Sequence, residues 1–383
     1  MTDLSALETP CAVLDHARLI ANIRAMSARF QALGVPLRPH LKTAKSIDVA
    51  RHCAAEGADR WTVSTLREAE YFASNGLTDI LYAVSIVPAK VARVMALNRR
   101  GADVAVCLDT MDAAAALADL SLDGPPLRVF LEIDVDRHRT GLRPDEARLT
   151  DIARTIVAAD GLTLSGVMAH GGESYASKSR ADIEAMAEQE RSITTAAAAA
   201  LREAGLPCPI VSVGSSPTAR HGRSYDGISE VRAGVYMFQD VFQANLGVCD
   251  LDDIALTVLA TVVSHARHLN RLILDAGGLA LSKDRSCASQ DNDCGYGLVM
   301  SEDGTLDETL YVAGVSQEHG YVTTRDGSAL DFGRYPVGSR VRILPNHACM
   351  TAAAYDVYHV IGDTPEPVLW TRINGWAPLE STL

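Results

Sequence analysis

Eight strand-like runs, most of them separated by Ala- and Leu-rich helical stretches, fill the first two thirds of this chain. They are PLRPHLK (36–42), RWTVST (60–65), DILYAV (79–84), DVAVCLD (103–109), RVFLEIDV (128–135), LSGVMAHG (164–171), PIVSVGSS (209–216) and EVRAGVYMF (230–238). Runs between them, such as ARLIANIRAMSARFQAL, LREAEYFASNG and RADIEAMAEQERSITTAAAAALREAG, have helical periodicity, and the last stops at Gly205. Strands that alternate with helices form parallel sheets, because each crossover returns the next strand in the same direction. Eight strands close such a sheet into a barrel. The expected fold is therefore α/β, a (β/α)8 barrel over residues 12–245, in preference to an open doubly wound sheet.

Beyond residue 245 helical periodicity gives way to strand-like runs with short Gly/Asp turns: DIALTVLATVVSHA, RLILDAGG, LYVAGVSQEHGYVT, SRVRILPNHA and DVYHVIG. Residues 246–383 are read as an antiparallel β domain, which residues 1–11 and the strand-like CAVLDH are expected to join. A length of 383 residues suits two domains, and 48% hydrophobic residues suffice for a large core. The formal net charge of −13 argues against nucleic acid or an anionic membrane surface as partner. No run of about 18 apolar residues is present to span a bilayer. MTDLSALETP lacks the basic start and apolar core of a signal peptide, and the eight cysteines are scattered with no C-x-x-C pair. Reduced thiols in the cytoplasm are the expectation.

In a barrel of this type the active site is built at the C-terminal ends of the strands. Lys42 ends the first strand, where period-two alternation puts Arg38, His40 and Lys42 on one face. Arg139 follows the fifth strand, His170 and Tyr175 the sixth, Gly214, Ser215 and Ser216 the seventh, and Gly234, Val235 and Tyr236 the eighth. Loops after strands seven and eight commonly bind phosphate, and GSSPT offers a close-approach glycine, hydroxyls and exposed N–H groups. A phosphate anchor opposite a lysine is what pyridoxal phosphate requires, the lysine for its Schiff base.

TPCAVLD, RPHLKTAKS, RTGL, SVGSSPT, EVRAGVY, SQEHG and PNHAC, in order from Thr9 to Cys349, resemble the D-serine dehydratase and D-threonine aldolase family of pyridoxal-phosphate enzymes with the alanine-racemase-like fold. VSTLREAE, TDILYAVS, EVRAGVY and SQEHG are most similar to its D-threo-3-hydroxyaspartate dehydratase branch. The resemblance implies Lys42 as the Schiff-base lysine, Arg139 near the cofactor's phenolic oxygen and His170 against its ring. It also implies phosphate contacts from Gly214 to Ser216 and from Gly234 to Tyr236. Arg232 is a candidate partner of the pyridine nitrogen by analogy with racemases, or else an outward-facing ion-pair member. A homodimer in which the second subunit closes the site is also implied.

His347 and Cys349 lie two apart in ILPNHACM, so on an extended segment they would point the same way. Imidazole and thiolate suit zinc, though an H-x-C pair alone is a weak signal. By resemblance this pair holds Zn2+ or another divalent metal, and two protein ligands leave places for water and substrate. Cysteine at the second position resembles the dehydratases; the aldolases tend to carry aspartate there. The expected reaction is dehydration and deamination of a D-β-hydroxy amino acid, D-threo-3-hydroxyaspartate or D-serine, to a keto acid and ammonia. Arg38, His40, Tyr175, Gln317 and His319 are candidates to hold the carboxylate or supply protons. A D-threonine-type aldolase and a non-catalytic pyridoxal-phosphate protein are the alternatives.

Overall fold

The first apolar run, CAVLD, forms strand β1 (Cys11–Asp15), and the amphipathic stretch behind it forms helix α1 (His16–Leu33). The structure is a computed structural model that describes residues 2–137, 139–362 and 364–376. It divides into two compact units. Of the described residues, one is built from 2–24 together with Val235–Asn374, the other from Ala25–Gly234 with Gly375 and Trp376.

The second unit is the barrel. Its strands are β2 (Leu37–Pro39), β3 (Arg60–Val63), β4 (Asp79–Ser85), β5 (Asp103–Leu108), β6 (Leu127–Ile133), β7 (Leu162–Ala169), β8 (Ile210–Val213) and β9 (Glu230–Ala233). All neighbours are parallel, in the order β2-β9-β8-β7-β6-β5-β4-β3. A bridge between His40 and Thr62 joins β2 to β3, with Leu41 N donating to Thr62 O at 2.9 Å, and so completes the ring. Covered on both faces, these strands are continuous apolar runs: Val104 to Leu108 and Val129 to Leu131 are fully buried.

Helices α2 (Ile47–Ala55), α3 (Leu66–Ser74), α4 (Pro88–Arg99), α5 (Met111–Ala118), α6 (Ala147–Val157), α7 (Arg180–Glu203) and α8 (Ser216–His221) fill the connections. Their starts follow local chemistry: Thr65 caps α3 by accepting from Glu68 N, Ser179 caps α7 by accepting from Asp182 N, and Pro88 opens α4. In α6 the side chains of Leu149, Ile152, Ala153 and Ile156, spaced i, i+3, i+4, i+7, are all fully buried. Each Leu or Ile of that stripe contributes about 1.5–3 kcal/mol by leaving water, and a carboxylate at Ile152 would undo the docking.

Arg38 departs from the sequence reading. Its side chain is 1% exposed, with Nε 2.8 Å from Glu230 Oε1, Nη2 3.1 Å from Asp79 Oδ2, and Nη1 donating to Trp61 O at 3.0 Å. These partners sit at the N-terminal ends of β9, β4 and β3. Arg38 therefore closes the end of the barrel opposite the one where catalysis is expected, and is not spare to hold a substrate carboxylate.

The other unit is built on strands β10 (Leu256–Ala266), β11 (Arg271–Leu274), β12 (Gly297–Ser301), β13 (Leu306–Val315), β14 (Gly320–Thr324), β15 (Arg340–Pro345), β16 (Val357–Ile361) and β17 (Val368–Thr371). Antiparallel pairing runs β10-β11-β14-β13-β12-β15 and returns to β10, closing a second, smaller ring. Val258, Val262, Leu272, Val299, Val312, Val322 and Ile343 fill its interior, all fully buried. Strand β1 extends the sheet, antiparallel to β10 and parallel to β16. Short helices α9 (Val241–Asn245), α10 (Gly278–Leu281) and α11 (Ala348–Ala352) decorate the unit. The single run LYVAGVSQEHGYVT is in fact two strands with a turn at SQEH, and the run EVRAGVYMF leaves extended structure after Ala233 for a 3-10 turn, Val235–Met237.

Candidate active site

Strand β2 ends at Pro39, so Lys42 stands in the turn that follows and does not share a strand face with Arg38. It is exposed, and its N–H lies 3.5 Å from His40 Nδ1. Lys45, three residues on, precedes the N-cap Ser46 of α2, in left-handed conformation (φ 48°). Its Nζ is 3.3 Å from Glu68 Oε1 and 5.1 Å from the Trp376 ring centre. Glu68 is fully buried and also accepts from Ser64 N and Thr65 Oγ1. Lys45 is thus tied into a buried ion pair, while Lys42 stands beside two imidazoles.

Those imidazoles are His40 and His170. Burial pushes His170 down to about 3, and the charge of Lys42 pushes the same way, against a hydrogen bond to Gly214 that raises it. The Nδ1 of His170 is 2.9 Å from Gly214 O, so Nδ1 carries the proton and donates it. The Tyr175 ring lies 6.2 Å away, tilted by 45°. His40 is held well below its ordinary value, by burial first and then by Lys42, Arg232 and His170. Its Nε2 is 3.4 Å from Ser64 Oγ. Both imidazoles are neutral across the physiological range.

Arg139 is 56% exposed, and its Nη2 lies 3.5 Å from Oε1 of the buried Glu132 at the end of β6. Its loop is pinned where Gly141 N donates to Asp109 Oδ2 at 2.9 Å. Arg232 is buried and does not face outward. Its Nη1 donates to Ser212 Oγ and its Nη2 to Ala169 O, each at 2.5 Å, and burial lowers its pKa.

The loop after β8 has few polar groups to spare. Gly214 (φ 134°) is needed because a Cβ there would stand 2.2 Å from Arg232 O. Its N–H donates to Glu190 Oε1 at 2.9 Å and its carbonyl takes the His170 proton. Ser215 caps α8: its N–H donates to Thr218 Oγ1 at 3.0 Å and its Oγ accepts from Thr218 N at 3.1 Å. Ser216 differs. Its Oγ is buried without a hydrogen-bond partner among the described residues, and its N–H is 3.5 Å from Tyr175 Oη. A buried hydroxyl left unmade costs about 1–3 kcal/mol, so a bound acceptor is the fitting complement. Gly234 is also required by packing, since a Cβ would stand 2.8 Å from His40 O; Val235 and Tyr236 follow it, buried in the 3-10 turn. Lys42, Arg139, two neutral imidazoles and an unsatisfied serine hydroxyl fit pyridoxal phosphate.

In the β unit, His347 and Cys349 are not on a strand. Strand β15 ends at Pro345, His347 is the N-cap of α11, and Cys349 lies in that helix's first turn. The tight turn still brings them together, with the thiol hydrogen-bonded to the imidazole. Asp284 Oδ2 is 2.7 Å from His347 Nδ1. Although burial opposes it, the bonds from Asp284 and Cys349 push His347 up to about 11, and Asp284 is drawn down to about 2 against its own burial by His347 and Ser286. A carboxylate on Nδ1 leaves Nε2 for a metal ion. Among the described residues no group of three or more His, Cys, Asp or Glu is placed to share an ion. A nitrogen and a sulfur donor with open positions fit zinc bound for chemistry and not for structure. Gln317 and His319 are exposed in the turn between β13 and β14.

Three residues that sequence reasoning missed take part in this geometry: Glu132, Glu190 and Asp284. Glu132 is the last residue but one of β6, in a run read as a barrel strand, and that position was its signal. Glu190 looks like any polar residue of a long helix, and Asp284 like any turn residue.

Residues 14–241 match the family described as alanine racemase, N-terminal domain, and residues 255–361 match a serine dehydratase domain. The chain is 45% identical over 376 residues to the D-threo-3-hydroxyaspartate dehydratase of Delftia sp. strain HT23, covering 97% of this chain and 99% of that one. The solved structure of that enzyme superposes with a TM-score of 0.95 over 98% of this chain and 100% of that one, and it is also known as a cysteine-to-alanine mutant in a metal-free form. A D-serine dehydratase of Dictyostelium discoideum is 34% identical over 94% of this chain and 95% of its own. A 3-hydroxy-D-aspartate aldolase of Paracoccus denitrificans is 30% identical over 96% and 92%. Among the described residues no helix is long and apolar enough to cross a membrane. The chain belongs to the D-serine dehydratase and D-threonine aldolase family of pyridoxal-phosphate lyases, built on the alanine-racemase fold.

Proposed function

We propose that this protein dehydrates and deaminates D-β-hydroxy amino acids, with D-threo-3-hydroxyaspartate as the leading substrate and D-serine next, using pyridoxal phosphate and zinc. The observation that carries the reading is 45% identity to a D-threo-3-hydroxyaspartate dehydratase in an alignment that covers 97% of the chain. The metal-free cysteine mutant of that enzyme supports a metal on the Cys349 thiol.

Lys42 is the residue we assign to the cofactor aldehyde and to removal of the α-proton through Nζ. The neutral states of His40 and His170 support this, because neither imidazole adds a positive charge beside Lys42. His170, its Nδ1–H given to Gly214 O, keeps its lone pair on Nε2 and can orient a ring without protonating it. Ser216, through Oγ and N–H, and Tyr175, through Oη, are assigned to the phosphate; Gly214 and Gly234 contribute the close strand approach that shapes the loop, and Ser215 caps it. Val235 and Tyr236 complete the assigned phosphate region. Arg139, held by Glu132, is assigned to the phenolic oxygen, and Arg232 to the pyridine side. Bound pyridoxal phosphate supplies an electron sink for the charge left at Cα. Zinc on His347 and Cys349 supplies a Lewis acid for the β-hydroxyl, which is a poor leaving group by itself.

Retro-aldol cleavage is the second reading. His40 and His170 favour it specifically, since a neutral imidazole can accept the β-hydroxyl proton. Product analysis separates the two: ammonia with a keto acid for dehydration, glycine with an aldehyde for cleavage. We further propose a homodimer, testable by light scattering, in a reducing cytoplasm; the eight free cysteines support that compartment.

A further inference from the structure

Helix α7 carries a carboxylate where its buried stripe calls for an apolar side chain. Glu190 is 2% exposed and lies on the same face as Met186, Ala187, Thr194 and Ala197. An ionised carboxylate taken out of water costs several kcal/mol unless charge or hydrogen bonds compensate. Among the described residues no Lys, Arg or His forms an ion pair with Glu190. Three neutral donors serve it instead. Gly171 N donates to Oε1 at 2.7 Å, Gly214 N donates to the same oxygen at 2.9 Å, and Thr218 Oγ1 donates to Oε2 at 2.9 Å.

These donors come from both loops assigned to the cofactor. Gly171 immediately follows His170 at the end of β7, and Gly214 follows β8. Gly214 O accepts the His170 proton at 2.9 Å, so Glu190 and His170 grip the same glycine from its two polar ends. The directions of the protons are then determined. Thr218 has one hydroxyl proton, and giving it to Glu190 leaves Thr218 Oγ1 an acceptor for Ser215 N at 3.0 Å. With Gly214 N and Ser215 N both committed, Ser216 keeps a free Oγ, and His170 keeps Nε2 as its lone-pair nitrogen.

We propose that Glu190 is a positioning residue: from behind the barrel wall its carboxylate locks the ends of β7 and β8 together, fixing the His170 tautomer and presenting Ser216 to the phosphate of pyridoxal phosphate. The proposal rests on the cofactor assignment made above. Geometry is the operative term, not charge, because a negative charge behind a phosphate site repels the ligand. Glutamine is therefore the informative replacement. Its oxygen can keep both glycine N–H groups while its amide meets Thr218 Oγ1, whose proton then turns toward Ser215 Oγ, 3.0 Å away. Alanine leaves both N–H groups without an acceptor.

The test uses the full-length protein and two readouts that need no turnover: the dissociation constant for pyridoxal phosphate, and the His170 ring nitrogens by 15N NMR. Glu190→Ala is expected to weaken cofactor binding at least about tenfold, the loss of one buried hydrogen bond, and to abolish the single Nδ1–H tautomer. Glu190→Gln is expected to retain both properties. Wild-type affinity and an unchanged His170 in Glu190→Ala would overturn the proposal. If Glu190→Ala does not fold, Glu190→Asp, which keeps the charge but withdraws it by one bond, must bind the cofactor more weakly than Glu190→Gln; the opposite order overturns the proposal. Failure of the proposed reaction is read separately, as wild-type protein that binds cofactor yet yields no keto acid.

Discussion

Arg38 Nε lies 2.8 Å from Glu230 Oε1 with both side chains closed off from solvent, and Ser212 Oγ donates to the same oxygen at 2.7 Å. Breaking a buried pair from one side strands the other charge, at about 3–5 kcal/mol. Arg38→Met is expected to lose stability of that order in chemical denaturation while leaving the ratio of activities on 3-hydroxyaspartate and D-serine unchanged. A stable Arg38→Met protein with a changed ratio would instead make Arg38 a substrate ligand.

Borohydride reduction of the reconstituted protein, followed by peptide mass analysis, is expected to find the cofactor on Lys42 and none on Lys45. Lys42→Ala should abolish this labelling with the fold intact. Lys45→Ala should keep it and lose stability instead, because Glu68 is left buried without its cation. Label on Lys45 would reverse the assignment.

The contrast between these residues marks what the chain reveals by pattern and what it does not. Barrel strands buried on both faces leave apolar runs and helices leave periodic ones, so all eight barrel strands were legible. Arg38, His40 and Lys42 looked equivalent because period-two alternation was carried past Pro39, where the backbone in fact turns. For the same reason an extended segment was the condition for His347 and Cys349 to face the same way; the strand stops at Pro345, and a helix N-terminus brings the pair together equally well. Strand β12 (GLVMS) is five residues long and follows a turn-rich stretch, so it left no signal of its own. Glu190 and Asp284 act through partners far away in sequence, at Gly214 and His347, and no local pattern encodes such pairs.

Asp284 offers a test of the metal assignment. Outer-shell carboxylates on a ligating histidine are worth roughly 10- to 100-fold in metal affinity. Asp284→Asn should weaken zinc binding by that factor with far-UV dichroism unchanged. Chelation of the wild type should stop keto-acid formation without unfolding, and zinc should restore it. Full turnover in metal-free protein would remove the Lewis acid from the account.

His170 makes a pH prediction with a definite sign. Its folded pKa, about 3, lies below the ordinary 6.5, by burial first and the charge of Lys42 second. Between those values the unfolded chain binds a proton that the folded protein refuses. Stability from neutral His170 is therefore complete above pH 6.5 and declines as pH falls toward about 3. Arg139 and Arg232 add to the depression, and the bond to Gly214 O opposes it. NMR titration should show no protonation of His170 from about pH 8 to about pH 5. Lys42→Ala should raise its pKa while leaving it below the ordinary value. An inflection near 6.5 in the wild type would contradict the buried, neutral assignment.

The central claim is the fate of the β-oxygen. Protein reconstituted with pyridoxal phosphate and zinc should be given D-threo-3-hydroxyaspartate and, separately, D-serine, with ammonia, keto acid, glycine and aldehyde measured together. The account predicts ammonia and keto acid in equal amounts, oxaloacetate from the first substrate and pyruvate from the second, with no glycine. Glycine and glyoxylate as the main products of 3-hydroxyaspartate would contradict it and establish the aldolase reading.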